Sequence, residues 1–256
     1  MRPTTLARAA VGLPGSSLGA CPVCGNRTAF VHLWQESVRE GKRCLRCRAV
    51  TRKRHVAAVI RRELLPRARC AADAIRTTGT RVHSMSSGGP LEISLAGYDG
   101  LTCSEFVPGV QRGAEIAPGV RCEDFEALTF ADGDLDLLIS EDVLEHVRRP
   151  LAAYDEIARV LRPGGRHVFT VPFRPDEATE IRVDTTGDAD VHLMPPEYHG
   201  DPVRGQILAY RTFGSDLLGV LERAGLPTTV HTASADDRRF GVSDSVVFVS
   251  VKAPNS

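Results

Sequence analysis

Two neighbouring stretches carry most of the structural information in this chain. They are Phe130-Ala-Asp-Gly-Asp-Leu-Asp-Leu-Leu-Ile-Ser-Glu-Asp-Val-Leu-Glu-His-Val147 and Ile157-Ala-Arg-Val-Leu-Arg-Pro-Gly-Gly-Arg-His-Val-Phe-Thr-Val-Pro172. Leu135–Ser140 is a short apolar run after the turn Ala131-Asp132-Gly133-Asp134, which predicts a buried strand. Apolar positions at helical spacing from Leu151 to Leu161 predict an amphipathic helix, ended by Pro163-Gly164-Gly165. His167–Val171 then reads as the next strand. A strand, a crossover helix and a second strand make a parallel pair, so an α/β sheet is expected, with ligands at the strand C-termini.

The pattern extends in both directions. Upstream, Arg81–Ser86, Leu101–Phe106 and Val120–Asp124 read as strands, and Pro90–Ala96 as a short helix. Downstream, residues 174–205 form a polar insertion rich in Pro, Gly and Asp. A helix over Thr212–Ala224 follows, then strands Thr228–Ala233 and Ser243–Val251, expected to make an antiparallel edge hairpin. The chain of 256 residues is 42% hydrophobic, enough for a full core, which excludes a mainly disordered protein. It has no apolar run of the length a transmembrane helix needs, so no membrane partner is expected.

The first 50 residues follow a different logic. Cys21-Pro-Val-Cys24 and Cys44-Leu-Arg-Cys47 are two tight turns, each able to aim two sulfurs at one point. Together they match the four-thiolate set of a structural Zn²⁺, with two disulfides or an iron–sulfur centre as rival readings. Cys70, Cys103 and Cys122 stand alone and read as buried small hydrophobes. Net charge is zero, yet residues 1–70 hold 15 Lys and Arg against three acids. That excess points to an anionic partner or to the acidic remainder of the chain. Residues 6–20 are broken by Arg8, Gly12, Pro14 and Gly15, too interrupted for a secretory h-region, and a cytoplasmic protein is expected. The expected organisation is a flexible lead (1–19), a zinc ribbon (20–50), a basic helical linker (51–79) and a catalytic domain (80–256). Val56, Val59, Ile60, Leu64 and Leu65 mark the linker's first helix, and a second is expected near 68–77.

The quoted block resembles class I S-adenosylmethionine-dependent methyltransferases, in the branch of the common small-molecule methyltransferase domain. The likeness covers about residues 80–252, and the ribbon followed by Arg52-Lys-Arg54 is similar to the N-terminal ribbon of some bacterial members. It implies a Rossmann-like seven-stranded sheet of order 3-2-1-4-5-7-6 and S-adenosylmethionine as cofactor. By that resemblance the first strand ends in the cofactor turn Met85-Ser86-Ser87-Gly88-Gly89-Pro90, where Gly88 and Gly89 permit close backbone approach. The family's usual acidic residue and GxGxG are absent from this turn. Glu105 stands where an acid takes the ribose hydroxyls, Asp124 where one meets the adenine amino group, and Phe125 beside the adenine. Ser140 and Glu141 end the fourth strand, beside the transferred methyl.

Methyl transfer asks the protein chiefly for alignment, with a base only where the acceptor keeps its proton. Three residues are candidates for catalysis: His146, His199 and Tyr198. In a regular helix Glu145 and His146 point about 100° apart, which favours a structural role for the pair. Tyr198-His199-Gly200-Asp201 lies in the insertion, where substrate lids occur. Arg174, Arg182 and Arg211 could grip an anion or serve in internal salt bridges. The expected substrate is a small metabolite, anionic or sugar-containing. The alternatives are an RNA methyltransferase using the basic region, with Phe30 and Trp34 to stack on bases, and a non-catalytic zinc-containing binding module.

Overall fold

The structure is a computed structural model and describes residues 16–32, 38–201 and 204–253. The expectations for residues 1–15 and for Trp34 lie outside the described residues. The chain divides into two compact units, neither continuous in sequence. The first comprises residues 1–80, 88–101 and 230–247, and the second residues 81–87, 102–229 and 248–256.

In the first unit, β1 (Ser17–Ala20), β2 (Arg27–His32) and β3 (Lys42–Cys44) form an antiparallel ribbon. The expected lead therefore ends before Ser17: pairing of Ser17 with Phe30 and Ala20 with Arg27 draws these residues into the sheet. Helix α1 (Thr51–Leu64) begins earlier than its apolar periodicity suggests, because Arg54 and His55 are buried along with Val56, Val59 and Ile60. It stops before Pro66, which cannot continue a helix. Helix α2 (Ala71–Thr78) ends on Gly79 at φ 66°, a left-handed cap that a glycine adopts without strain. Helix α3 (Pro90–Ser94) carries proline in its first turn.

Arg54 holds this unit together. Its guanidinium has no solvent exposure, lies 4.4 Å from the Phe30 ring centroid, and donates to the carbonyls of Lys42 (2.6 Å), Ala49 (2.6 Å), Phe240 (2.8 Å) and Gly241 (2.9 Å). Burial lowers its pKa to about 10, still charged at neutral pH. Arg54→Met keeps the volume and leaves those carbonyls without their donor. We expect it to cost the unit about 3–5 kcal/mol, read as a lowered denaturation midpoint; a change under about 1 kcal/mol would contradict this role.

The large sheet has eight strands rather than the expected seven. Its members are β4 (Val82–Ser84), β5 (Leu101–Glu105), β6 (Glu115–Ala117), β7 (Val120–Cys122), β8 (Leu135–Glu141), β9 (Leu161–Thr170), β17 (Thr228–Thr232) and β18 (Val246–Val251). They lie in the order β17-β18-β9-β8-β4-β5-β7-β6. The additional strand, β6, pairs antiparallel with β7 at the edge. The pairs β4/β8, β8/β9 and β5/β7 are parallel, and β18 runs antiparallel to β9. The last two strands are joined through a 3₁₀ segment, Ala235–Phe240, rather than by a tight hairpin turn.

Helix α4 (Pro150–Val160) buries Ala153, Tyr154, Ile157 and Val160, the face its periodicity predicts. The expected stop at Pro163-Gly164-Gly165 is displaced. Strand β9 starts at once with Leu161, and a register shift against β8 between Leu135 and Leu137 takes up the glycines. The insertion is more ordered than its composition suggests. It holds β10 (Phe173–Arg174), β11 (Glu180–Ile181), the pair β12 (Val183–Asp184) and β13 (Val191–His192), and the pair β14 (Tyr198–Asp201) and β15 (Gly205–Leu208). The helix expected from Thr212 splits into strand β16 (Arg211–Gly214) and helix α5 (Leu217–Arg223). β16 pairs with both β10 and β11, so ladder bonds outweigh local helical periodicity. No helix among the described residues is long and apolar enough to cross a membrane.

Candidate active site and metal-binding clusters

The ends of four neighbouring strands in the second unit carry most of the expected cofactor residues. Ser140 and Glu141 close β8, Ser86 and Ser87 follow β4, Glu105 closes β5, and Asp124 follows β7. Register fixes these ends relative to one another: Ser84 lies opposite Ile139, and Glu105 opposite Cys122. The Ser87 backbone N–H and hydroxyl both donate to Glu105 Oε1, each at 2.8 Å. Asp124 Oδ1 accepts from the Glu126 N–H (2.9 Å), which turns the chain after β7. Gly88, with φ 67°, and Gly89 continue the chain from Ser87 and belong to the first unit.

Two of the expected residues turn inward. Ser140 is buried, with its hydroxyl 2.8 Å from His167 Nε2, and Phe125 is buried with its ring centroid 6.1 Å from that of His167.

A second constellation lies just after β8. Leu144–His146 forms a 3₁₀ turn rather than an α-helix, and Glu145 and His146 converge instead of diverging: His146 Nε2 is 3.7 Å from Glu145 Oε1. From β14, His199 brings Nδ1 to 3.7 Å from the same oxygen. The two rings meet edge to face, with centroids 4.9 Å apart. Glu145 is fully buried, and neither of its carboxylate oxygens has a hydrogen-bond partner. At 3.7 Å the histidine contacts are too long for hydrogen bonds. Burial raises the Glu145 pKa, and burial lowers that of His146 to about 4. Glu145 raises that of His199. Tyr198 precedes His199 on the strand, so the pleat sends its side chain to the opposite face, where it is 54% exposed.

A family model described as a methyltransferase domain matches residues 102–169, the segment from β5 through β9. Residues 102–169 carry a methyltransferase domain. Among curated proteins it is 36% identical over 96 residues to an uncharacterized 37.1 kDa protein in a transposon of Streptomyces fradiae, covering 37% of this chain and 26% of that one. It is 34% identical over 174 residues to an uncharacterized methyltransferase of Mycolicibacterium paratuberculosis, covering 60% and 66%. The chain spans less than half the length of the first curated relatives it matches. Among solved structures, an S-adenosylmethionine-dependent methyltransferase of Mesorhizobium loti aligns with 17% identity and a TM-score of 0.40, over 70% of this chain and 95% of that one.

Outside the methyltransferase domain, the first unit gathers Cys21, Cys24, Cys44 and Cys47, with sulfurs within 4.8 Å of one another. All four are free of disulfides. The N–H groups of Arg46 (3.4 Å) and Cys47 (3.5 Å) point at Cys44 Sγ. Gly25 (φ 70°) and Arg48 (φ 65°) take the left-handed conformation just after each pair. The four thiols share protons among themselves: hydrogen bonding with Cys21 foremost lowers Cys44 and Cys24, while the same sharing raises Cys21 and Cys47. Cys70, Cys103 and Cys122 are buried, as expected.

The structure also accounts for much of the basic stretch. Arg52 pairs with Glu40, Arg62 with Asp237, and Arg69 with Asp73, while Arg61 donates to the carbonyls of Pro66 and Ala68. With Arg54, five basic residues of the stretch are engaged internally. Phe30 is fully buried beneath Arg54, which corrects the expectation that it could stack on a base. In the second unit, Arg211 is buried and donates to the carbonyls of Leu144, Val147 and Arg148, bracing the turn that carries Glu145. Arg182 pairs with Glu180 and Glu197, and Arg174 with Glu177 and Glu180.

In the sequence Glu145 and His146 read as a pair and His199 separately, and nothing there marks Glu197, which lies 3.2 Å from His199 Nε2. The spacing along the chain holds no sign that β14 folds back over the turn.

Proposed function

We propose that this methyltransferase domain transfers a methyl group from S-adenosylmethionine to a small metabolite or sugar-containing acceptor. The observation that carries the reading is the braced carboxylate at the end of β5. Both Ser87 bonds fall on Oε1 of Glu105, which fixes the group and presents Oε2 as an acceptor for paired ribose hydroxyls. Asp124, one strand over, is suited to the adenine amino group. Bound S-adenosylmethionine supplies an already activated methyl, so the work of these residues is binding and alignment. His199 and His146 are the side chains we assign to the acceptor side, through the turn after β8. For the first unit we propose that the four cysteines hold a structural Zn²⁺. Four sulfurs, N–H groups aimed at Cys44 Sγ and the nearby charge of Arg54 suit a four-thiolate ion.

Titration calorimetry with S-adenosylhomocysteine tests the cofactor assignment. Glu105→Gln keeps the volume and removes one hydroxyl acceptor, so affinity should fall about 10- to 100-fold with the fold intact, the equivalent of a lost charged hydrogen bond. Wild-type affinity in Glu105→Gln would remove Glu105 from the site.

A further inference from the structure

Glu145 presents an unsolved problem of charge. A carboxylate with no exposure and no hydrogen bond is costly unless something else meets it. What faces it is a pair of imidazole nitrogens, each 3.7 Å away. Their outer nitrogens are already occupied. His146 Nδ1 lies 2.8 Å from the Leu208 carbonyl, which can only accept, so this nitrogen carries the proton and Nε2 turns its lone pair toward Glu145. His199 Nε2 lies 3.2 Å from the Glu197 carboxylate, which likewise takes the proton on that side and leaves Nδ1 as the lone pair facing Glu145. Two inward lone pairs, one inward carboxylate, and outer nitrogens tied to a carbonyl and a carboxylate make up the donor arrangement of a histidine-rich metal centre with its supporting shell.

We propose that Glu145, His146 and His199 form a site for a divalent transition-metal ion. The donor atoms lie within 4.8 Å of one another. Around an ion about 2.1 Å from each ligand, donor atoms stand about 3.0–3.5 Å apart, so small side-chain movements close the set. Two imidazoles and one carboxylate suit borderline ions such as Zn²⁺, Fe²⁺ or Co²⁺, and the harder Mn²⁺ also accepts a mixed nitrogen–oxygen set, whereas Mg²⁺ and Ca²⁺ prefer all-oxygen shells. Three protein donors leave positions open for an oxygen ligand, whereas four thiolates close the sphere of the cysteine cluster. Glu197 supports the site by orienting His199 and is itself held by Arg182 at 3.3 Å. Arg211 supports it by pinning the turn that carries Glu145 and His146.

Mn²⁺ is the probe of choice, because it disfavours thiolates and does not report on the cysteine cluster. Full-length protein is titrated with Mn²⁺, and the free ion is followed by electron paramagnetic resonance. One saturable equivalent per chain is expected. His199→Ala, at a partly exposed strand position, should weaken binding at least tenfold while keeping the wild-type circular dichroism spectrum. Glu197→Gln should weaken it about tenfold through loss of orientation. Mn²⁺ should also raise the Tm of the wild type and leave that of His199→Ala unchanged. Absence of saturable binding, or equal Mn²⁺ affinity in wild type and His199→Ala, overturns the site. The measurement involves no methyl donor, so failure of the methyl-transfer reading leaves it intact, and its own failure leaves that reading standing.

Discussion

Cys44→Ser is expected to release the zinc we assign to the four cysteines and to unfold the first unit. Cys44 is fully buried, lies opposite Phe30 in the ribbon register, and is the sulfur at which the Arg46 and Cys47 N–H groups point. A serine hydroxyl there is a far weaker zinc ligand than a thiolate. The three remaining thiols are then left beside a buried position that cannot complete the shell. Because metal binding in such ribbons is coupled to folding, with apparent worth of about 10–16 kcal/mol, the loss exceeds what a domain of this size can absorb. The damage should spread along the chain. Two of the four carbonyls that Arg54 grips, those of Lys42 and Ala49, flank the second cysteine pair, so a disordered ribbon strips the guanidinium of half its partners. Elemental analysis should find one fewer zinc per chain in Cys44→Ser, and limited proteolysis should cut residues 16–80 first. Cys70→Ser, buried but outside the cluster, should keep both metal and protection. Retained zinc with an unchanged melting transition in Cys44→Ser would overturn the assignment.

The contrast between the two clusters explains what could be read before folding. Each cysteine pair is local: two residues between sulfurs make one turn, and a repeat of that turn nearby suffices to propose the centre. The parallel sheet was legible for a similar reason, since Leu135–Ile139 and Val168–Phe169 are apolar runs too short for helices and are joined by a helix of clear periodicity. Glu145, His146 and His199 had no such signature. Their meeting depends on β14 pairing with β15 inside a segment whose composition suggests only loop, and on a 3₁₀ turn where a regular helix would have separated the first two. The helix expected from Thr212 failed for the same physical reason: partners distant in sequence claim the backbone bonds of Arg211–Gly214. The basic excess near the N-terminus misled in another way. Counting charges cannot show that Arg54 and Arg61 spend theirs on carbonyls of their own unit.

An isolated buried histidine, in strand or helix, leaves no pattern in a sequence, yet three of them make this fold acid-sensitive. Stability should fall steeply between pH 6.5 and pH 4.5. His83 and His167 in the second unit, and His55 in the first, have no solvent exposure. Burial lowers the first two to about 3 and the third to about 4. His83 is satisfied as the neutral ring by the hydroxyls of Thr102 (2.8 Å) and Ser104 (2.9 Å). His167 stacks on Phe169 with centroids 4.5 Å apart and has only Ser140 as a partner. These folded-state values lie below the unfolded value of about 6.5, so at any pH between them the unfolded chain binds more protons, and stability rises with pH. The contribution is complete above about pH 6.5 and drains away as pH falls toward the folded values. At pH 5 each histidine costs about 2 kcal/mol, a figure set almost wholly by the unfolded pKa and so insensitive to how far below 4 the folded one lies. His199 opposes the trend, since Glu145 raises its pKa, but it is one partly exposed group against three buried ones. Denaturant titrations at pH 7.5, 6 and 5 should show a slope near 1.4 kcal/mol per pH unit for each such histidine below pH 6. His167→Gln, which cannot take up a proton, should reduce that slope by one proton's worth in the methyltransferase domain. A wild-type stability that is flat from pH 7 to pH 5 would mean these rings become charged without unfolding, which their sealed surroundings forbid.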